Sequence, residues 1–183
     1  MMPNSEILGA ELMQRALAEL GRRCAEEAEV VIVGGAAAVL CHGLTRTTGD
    51  IDVVDATPRL AALKSAIEAV ADEFGLAPAW INDAAKAFLE VLPPDFRERL
   101  VEVGTFGTLR VLAISRQDFI VMKLYGFRET DFEDLQTLVP PPTSEEIAFV
   151  EAQLTRIARL DSKKAHLMEL YLQSYQPDGP AFL

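Results

Sequence analysis

Along this chain apolar and polar positions repeat with two different periods, and the changes of period mark out its elements. An amphipathic opening reads as a helix from about Asn4 or Ser5 to about Glu27. The apolar run Val30 to Val33 follows, then a short small-residue helix from Ala36 to His42, then the alternating run Ile51 to Asp55. A longer helix extends from about Pro58, a residue suited to a first turn, to Phe74, with Gly75 as its stop. A looser helical stretch around Asp83 to Val91 leads into the break at Pro93 and Pro94. Leu100 to Ile114, LVEVGTFGTLRVLAI, then reads as two strands joined by a glycine-containing turn. From about Arg116 the period becomes helical again, and Phe119 to Leu138 reads as two segments meeting near Thr130. Pro140, Pro141 and Pro142 are the clearest boundary. Beyond them Thr143, with Glu145 and Glu146, opens a helix to about Arg159, and another runs from about Ser162 to Gln173. Ile147, Val150, Leu154, Ile157, Leu167, Leu170 and Tyr171 recur there at helical spacing, which predicts packing on the core or on a partner chain. The expected organisation is one unit over 1–139, a helical extension over 143–175 and a flexible tail over 176–183.

The stretch Val30 to Val54 carries the candidate chemistry. With Gly49 to Val54 as a strand, Asp50 and Asp52 point to one face while Ile51 and Val53 turn into the core. Adjacent carboxylates repel, and each is pushed toward protonation unless a cation sits between them. The pair therefore reads as half of a magnesium site; the structural alternative is an acidic pair on an exposed strand edge. Gly34 and Gly35 close the preceding apolar run, and only residues without side chains let a phosphate approach the backbone N–H groups at a helix start. Phosphate and metal are thus expected in one cleft.

Gly34 and Gly35, the turn Arg46, Thr47, Thr48, and then Asp50, Ile51, Asp52 together resemble the nucleotidyltransferase superfamily that shares its fold with DNA polymerase beta. More closely, the chain is similar to small bacterial members related to AbiEii-type toxins and to an uncharacterised group with a G-G-x-A...R-x-T-x-D-I-D signature. The resemblance runs from about Val30 to about Leu138. It implies an α/β (α+β) fold, a small mixed and twisted sheet flanked by helices, with the helical extension appended at the C-terminus. It also implies that Gly34 and Gly35 cradle a nucleoside triphosphate, that Asp50 and Asp52 hold catalytic Mg2+ (or Mn2+), and that Arg46 and Lys123 neutralise phosphates.

The chain departs from the family pattern in places. Where many members carry serine after the first glycine, this chain has Gly35 followed by Ala36, and the spacing to Asp50 is slightly long. A hydroxyl of Thr45, Thr47 or Thr48 is the expected substitute, against an ordinary role in satisfying turn backbone groups. The resemblance also implies a third carboxylate from a later strand, which activates the acceptor hydroxyl. Glu102, the one carboxylate within the two later strands, is the candidate, and a solvated strand glutamate is the alternative. Lys123, Arg128, Asp131 and Asp134 resemble a K...R...D-x-x-D-L pattern. In one unbroken helix Lys123 and Asp134 stand about 16 Å apart along the axis, which argues against direct pairing. Lys123 is then expected to reach a phosphate while Asp131 and Asp134 orient Arg128 or Lys123; the alternative is the charged outer face of an amphipathic helix.

Other residues narrow the picture. His42 is expected to be buried and hydrogen-bonded rather than catalytic, and Trp80, in W-I-N-D, to pack. Two histidines and two cysteines without ligand spacing give no zinc site, and Cys24 and Cys41 are expected reduced and buried. No G-x-S-x-G elbow or P-loop lysine motif is present. No apolar run approaches the roughly 20 residues of a membrane span. The opening residues lack signal-peptide character, so a cytoplasmic protein is expected. A net charge of −11 argues against an extended nucleic-acid surface. The basic pairs Arg22 with Arg23, Arg97 with Arg99 and Lys163 with Lys164 are scattered, the last read as a solvated helix face. The leading expectation is metal-dependent transfer of a nucleotidyl group from a nucleoside triphosphate to an unknown acceptor, a protein or RNA end; the resemblance alone implies a toxin–antitoxin or phage-defence setting with a cognate antitoxin. The rivals are a catalytically silent binding or regulatory module and a nucleotide sensor.

Overall fold

The computed structural model describes residues 8–175. In chain order the elements are α1 (Ala10–Arg23), β1 (Ala28–Val33), α2 (Gly34–Cys41), β2 (Ile51–Thr57), α3 (Lys64–Phe74), β3 (Ile81–Asn82), β4 (Val101–Phe106), β5 (Leu109–Ala113), α4 (Arg116–Gly126), α5 (Glu129–Thr137), α6 (Ser144–Leu160) and α7 (Ser162–Ser174). Short 3-10 helices at Leu60–Leu63, Ala84–Val91 and Phe96–Arg99 fill the connections.

The five strands form a mixed sheet in the order β3-β2-β1-β5-β4. The central strand β1 runs antiparallel to β2 and parallel to β5. Val30, Val31, Ile32 and Val33 are all buried, because a central strand covered on both faces reads as a continuous apolar run. In β2 the register shifts between Val31 and Ile32 of its partner, so Val54 is an extra residue. The bulge sets Asp52, opposite Val33, and Asp55, opposite Val31, on one face.

On the far side α1 lies against β4 and β5 and packs with α3. Its approach is close: a Cβ on Gly21 would stand 1.6 Å from the Phe106 carbonyl oxygen. The predicted helix start near Asn4 or Ser5 lies outside the described residues, as does the tail 176–183. Within them α1 begins only at Ala10, because Leu8 and Thr48 exchange backbone hydrogen bonds of 2.8 and 3.0 Å. It ends at Arg23 rather than Glu27, leaving the next residues to turn into β1. Gly75 caps α3 in the left-handed region, as the sequence predicts.

The break in the later helical stretch falls at Phe127 and Arg128 instead of Thr130. Phe127 takes φ 56, which ends α4, and α5 folds back from Glu129. α6 starts with the predicted capping box, Thr143 and Glu146, and packs with α7 against α4. Val150, Ile157, Ala165, Met168 and Leu172 form the buried face of this pair. Leu167 and Leu170, expected to pack, are exposed, since the turn at Asp161 rotates α7 so that Ala165 and Met168 face inward. Arg156 of α6 donates to the carbonyls of Glu90 and Val91 at 2.7 and 2.5 Å, fastening the extension to the 3-10 helix beside β2. No helix among the described residues is long and apolar enough to cross a membrane.

Candidate active site

The site forms where β1 ends and α2 begins. Gly34 adopts φ +62, a conformation in which a side chain is strained, and a Cβ there would stand 3.2 Å from an Asp52 carboxylate oxygen. The missing side chain keeps that carboxylate clear. Asp52 is half-buried on β2 and meets no hydrogen-bond donor among the described residues. Burial, and next the charge of Asp50, push its carboxyl above the usual carboxylate value, while Arg128 and Lys123 pull the other way. Asp50 lies one residue before β2, where Asn82 of β3 donates to its Oδ2 at 2.9 Å.

Gly35 explains its own identity. A Cβ at this position would meet Thr48 Oγ1 at 2.8 Å and the Arg46 guanidinium at 3.1 Å. The 46–48 turn thus occupies the space that a serine side chain would take in the family pattern. The Thr48 hydroxyl donates to the Asp50 carbonyl at 3.2 Å, the turn role, while standing over the first turn of α2. Arg46 is anchored by Asp134 at 2.6 Å.

Lys123 corrects the sequence expectation. Its ammonium is buried and bonds Asp131 at 2.8 Å and Asp134 at 2.7 Å. The 16 Å separation assumed an unbroken helix; the reversal at Phe127 brings α5 back alongside α4. Lys123 is therefore tied to two carboxylates rather than extended toward a phosphate. Arg128 donates to Asp131 at 2.9 Å and is otherwise exposed. Burial pushes Asp131 up, but hydrogen bonds from Arg128 and Lys123 outweigh it and hold the carboxyl below its ordinary value. Arg46, Asp134, Lys123, Asp131 and Arg128 form one chain of alternating charge behind Asp52.

A cavity of about 400 Å³ opens from Gly34 and Asp52. Phe88, Met122 and Tyr125 give it an apolar wall, and Arg128 and Lys164 a cationic rim. This volume falls within the usual range for a small-molecule site. Lys164, expected on a solvated face, instead donates to the Gly126 carbonyl at 2.9 Å, because α7 crosses the end of α4. A larger hollow of about 520 Å³, between Glu29, Thr57, Thr105 and Arg110, holds no comparable set: Arg110 pairs there with Glu29 at 3.1 Å.

The structure does not bring Glu102 to the aspartates. Glu102 sits on β4, in register with Leu112, Val31 and Asp55, so three strand spacings, about 14 Å, separate it from β2. It is exposed and pairs with Arg110 at 3.3 Å. Among the described residues no group of three His, Cys, Asp or Glu side chains is placed to share a metal ion. Of the carboxylates lining the cleft, Asp131 is taken up by Lys123 and Arg128, while Asp52 has Asp50 close enough for its charge to be felt; such a pair fits a hard cation that keeps its waters and takes further oxygens from a substrate phosphate.

His42 is buried, with Nε2 3.1 Å from the Ile114 carbonyl and its ring tilted against Phe119. Trp80 packs in the core and donates to the Ile67 carbonyl at 3.1 Å. Cys24 is buried; Cys41, expected buried, is only half so. Of the basic pairs, Arg22 and Arg23 bind Glu19, while Arg97 binds Asp55 and Arg99 binds Asp118. Sequence reasoning passed over Phe88 and Tyr125 and misplaced Lys164, whose convergence depends on the 3-10 helix and the α7 crossing; it also passed over Asn82, whose signal was its place beside the buried Trp80 and Ile81.

The family described as a nucleotidyltransferase of unknown function (DUF6036) matches residues 11–139, which span β1 to α5 and both aspartates. No curated protein and no solved structure matches the chain.

Proposed function

Because the chain belongs to this nucleotidyltransferase family, we propose that it transfers a nucleotidyl group from a nucleoside triphosphate to a macromolecular acceptor, with Asp50 and Asp52 holding Mg2+ or Mn2+. One observation carries the reading: the Asp52 carboxylate, half-buried and without a hydrogen-bond donor among the described residues, faces a glycine-floored cavity beside a second carboxylate. Desolvating an anion without a partner is unfavourable, and such a group is retained where a ligand completes it.

When bound, the divalent ion would supply stabilisation of the charge that builds on the transferring phosphate. The chain's own residues then have distinct tasks. Backbone N–H groups at Gly34 and Gly35 bind phosphate at the start of α2. Arg46 lies over that helix start and balances phosphate charge, its guanidinium oriented by Asp134. Lys123 holds Asp131 and Asp134 in place and contributes a fixed positive charge behind Asp52. Phe88, Met122 and Tyr125 present the apolar wall against which a base packs. The resemblance to AbiEii-type toxins supports a toxin–antitoxin or phage-defence setting, and the candidate acceptors are a protein or an RNA end.

The test is incubation with each labelled triphosphate, magnesium and cell extract, comparing the parent with Asp50→Ala. Label carried to a macromolecule by the parent alone is the expected result; equal behaviour of the two proteins across acceptors and metals overturns the reading. The lack of a third carboxylate among the described residues favours a second reading, a nucleotide-binding module that does not turn over. Binding of labelled triphosphate without pyrophosphate release identifies that case.

A further inference from the structure

The geometry points to Asn82 as the positioning residue of the metal pair, an amide standing where a third carboxylate would complete the site; this rests on the metal-binding reading of Asp50 and Asp52. β3 is two residues long and pairs parallel with β2, Ile51 opposite Ile81 and Asp52 opposite Asn82. Opposed residues share a face, so Asn82 lies on the face of Asp52. Its amide orientation is fixed by its contacts. Oδ1 accepts the Ala84 N–H at 3.0 Å, leaving Nδ2 to donate to Asp50 Oδ2 at 2.9 Å and to the Ala79 carbonyl at 3.4 Å. Buried Trp80 and Ile81 fix the strand that carries it.

The amide does two things a carboxylate would not. It gives Asp50 a donor, which offsets part of the carboxylate charge that bears on Asp52. It also keeps the local charge at two negatives rather than three. The 2.9 Å between Nδ2 and Oδ2 has a further meaning, because adjacent ligand oxygens on an octahedral magnesium ion with bonds of 2.0–2.1 Å also stand about 2.9 Å apart. Asn82→Asp keeps the oxygen that Ala84 uses and places the other against Asp50, where at neutral pH a shared cation relieves the repulsion. The parent thus depends on two carboxylates for its cation, and Asn82→Asp converts the cluster into a three-carboxylate site whose stability follows the metal.

The experiment is Mn2+ binding by electron paramagnetic resonance, with thermal melting in EDTA and in Mn2+, on the full chain as parent, Asn82→Asp, Asn82→Ala and Asp50→Ala. Asn82→Asp should melt below the parent in EDTA, recover in Mn2+ by more than the parent gains, and bind Mn2+ roughly tenfold more tightly. Asn82→Ala should bind about tenfold more weakly, the usual loss when a group that orients a ligand is removed. Should Asn82→Ala fold poorly, Asn82→Asp decides alone through its metal-dependent melting. The assignment is overturned if the parent binds Mn2+ and loses it in Asp50→Ala while both Asn82 variants bind and melt as the parent does. A parent that takes up no Mn2+ overturns the metal reading itself, and this inference with it.

Discussion

Asp52 is held in an unfavourable state, and its stability signature follows from the direction of its pKa shift. Burial and the neighbouring Asp50 raise its folded value above the ordinary 3.8. Between 3.8 and that raised value the folded chain binds more protons than the unfolded one, so this group's contribution to stability falls as pH rises through the window and stays unfavourable above it. Asp52→Asn removes the charge and nearly preserves the shape. In metal-free buffer at neutral pH the variant should melt above the parent, and the difference should shrink as pH falls through the window toward 3.8. Nucleotidyl transfer should be lost in the same protein. Melting curves between pH 3.5 and 8, read beside the labelling assay, check both; an Asn variant that melts below the parent at neutral pH shows that Asp52 is supported by contacts absent from the described structure. Gly35 sits at the same scale. Its bare Cα is dictated by Thr48 and Arg46, which is why a serine does not stand there.

The α4–α5 hairpin shows how far element-level reasoning reaches. A lysine flanked by two carboxylates within a core forms a buried ion cluster, and removing one member leaves the others uncompensated. Lys123→Met should therefore destabilise by about 3 kcal/mol, at the lower end because Arg46 and Arg128 still touch Asp134 and Asp131. Combining it with Asp131→Asn and Asp134→Asn should recover much of the loss, and chemical denaturation of the two variants measures it. The sequence hints at this arrangement only through Gly126, whose missing Cβ leaves room for the Asp131 carboxylate; the left-handed φ of 56 falls instead on the next residue, Phe127, where no sequence signal marks it. A reversal at a bulky residue is set by tertiary contacts, here the edge-on packing of Phe127 against Phe132. By contrast β1, β2, the β4–β5 hairpin and the Gly75 stop follow from apolar period and glycine chemistry, and the sequence pattern reveals them directly. Alternation likewise marks Asp52 as turned away from the core residues Ile51 and Val53, whereas Asp50 lies one residue before β2 and is held by Asn82. β3 is too short to show a period, so the search for a third group settled on Glu102, a carboxylate in a visible strand, and passed over the amide in an invisible one.

At the scale of the whole molecule, charge and packing draw the C-terminal helices into the cleft. The chain carries a net charge of −11, yet Arg128 and Lys164 both line the cavity and Arg46 lies over the nearby start of α2, a local reversal that suits a polyanion. Lys164 comes from α7, and the 3-10 helix bearing Phe88 is held by Arg156 of α6. The region beyond the triple proline thus contributes to the cleft wall although the family match ends at residue 139. Arg156 is costly to bury, and its guanidinium is pulled below its usual value by that burial despite Asp118 and Asp95. Its return is the capping of two carbonyls that the 3-10 geometry leaves without partners. Arg156→Met keeps the apolar stem and removes the donors, so global stability should fall by only about 1–2 kcal/mol. The larger effect should be local. Amide hydrogen exchange within Ala84–Val91 should accelerate by about tenfold or more relative to β1, and triphosphate binding should weaken through loss of the Phe88 wall. If α6 and α7 were a separate appendage, exchange in that segment would match the parent, and the cleft would belong to the matched region alone.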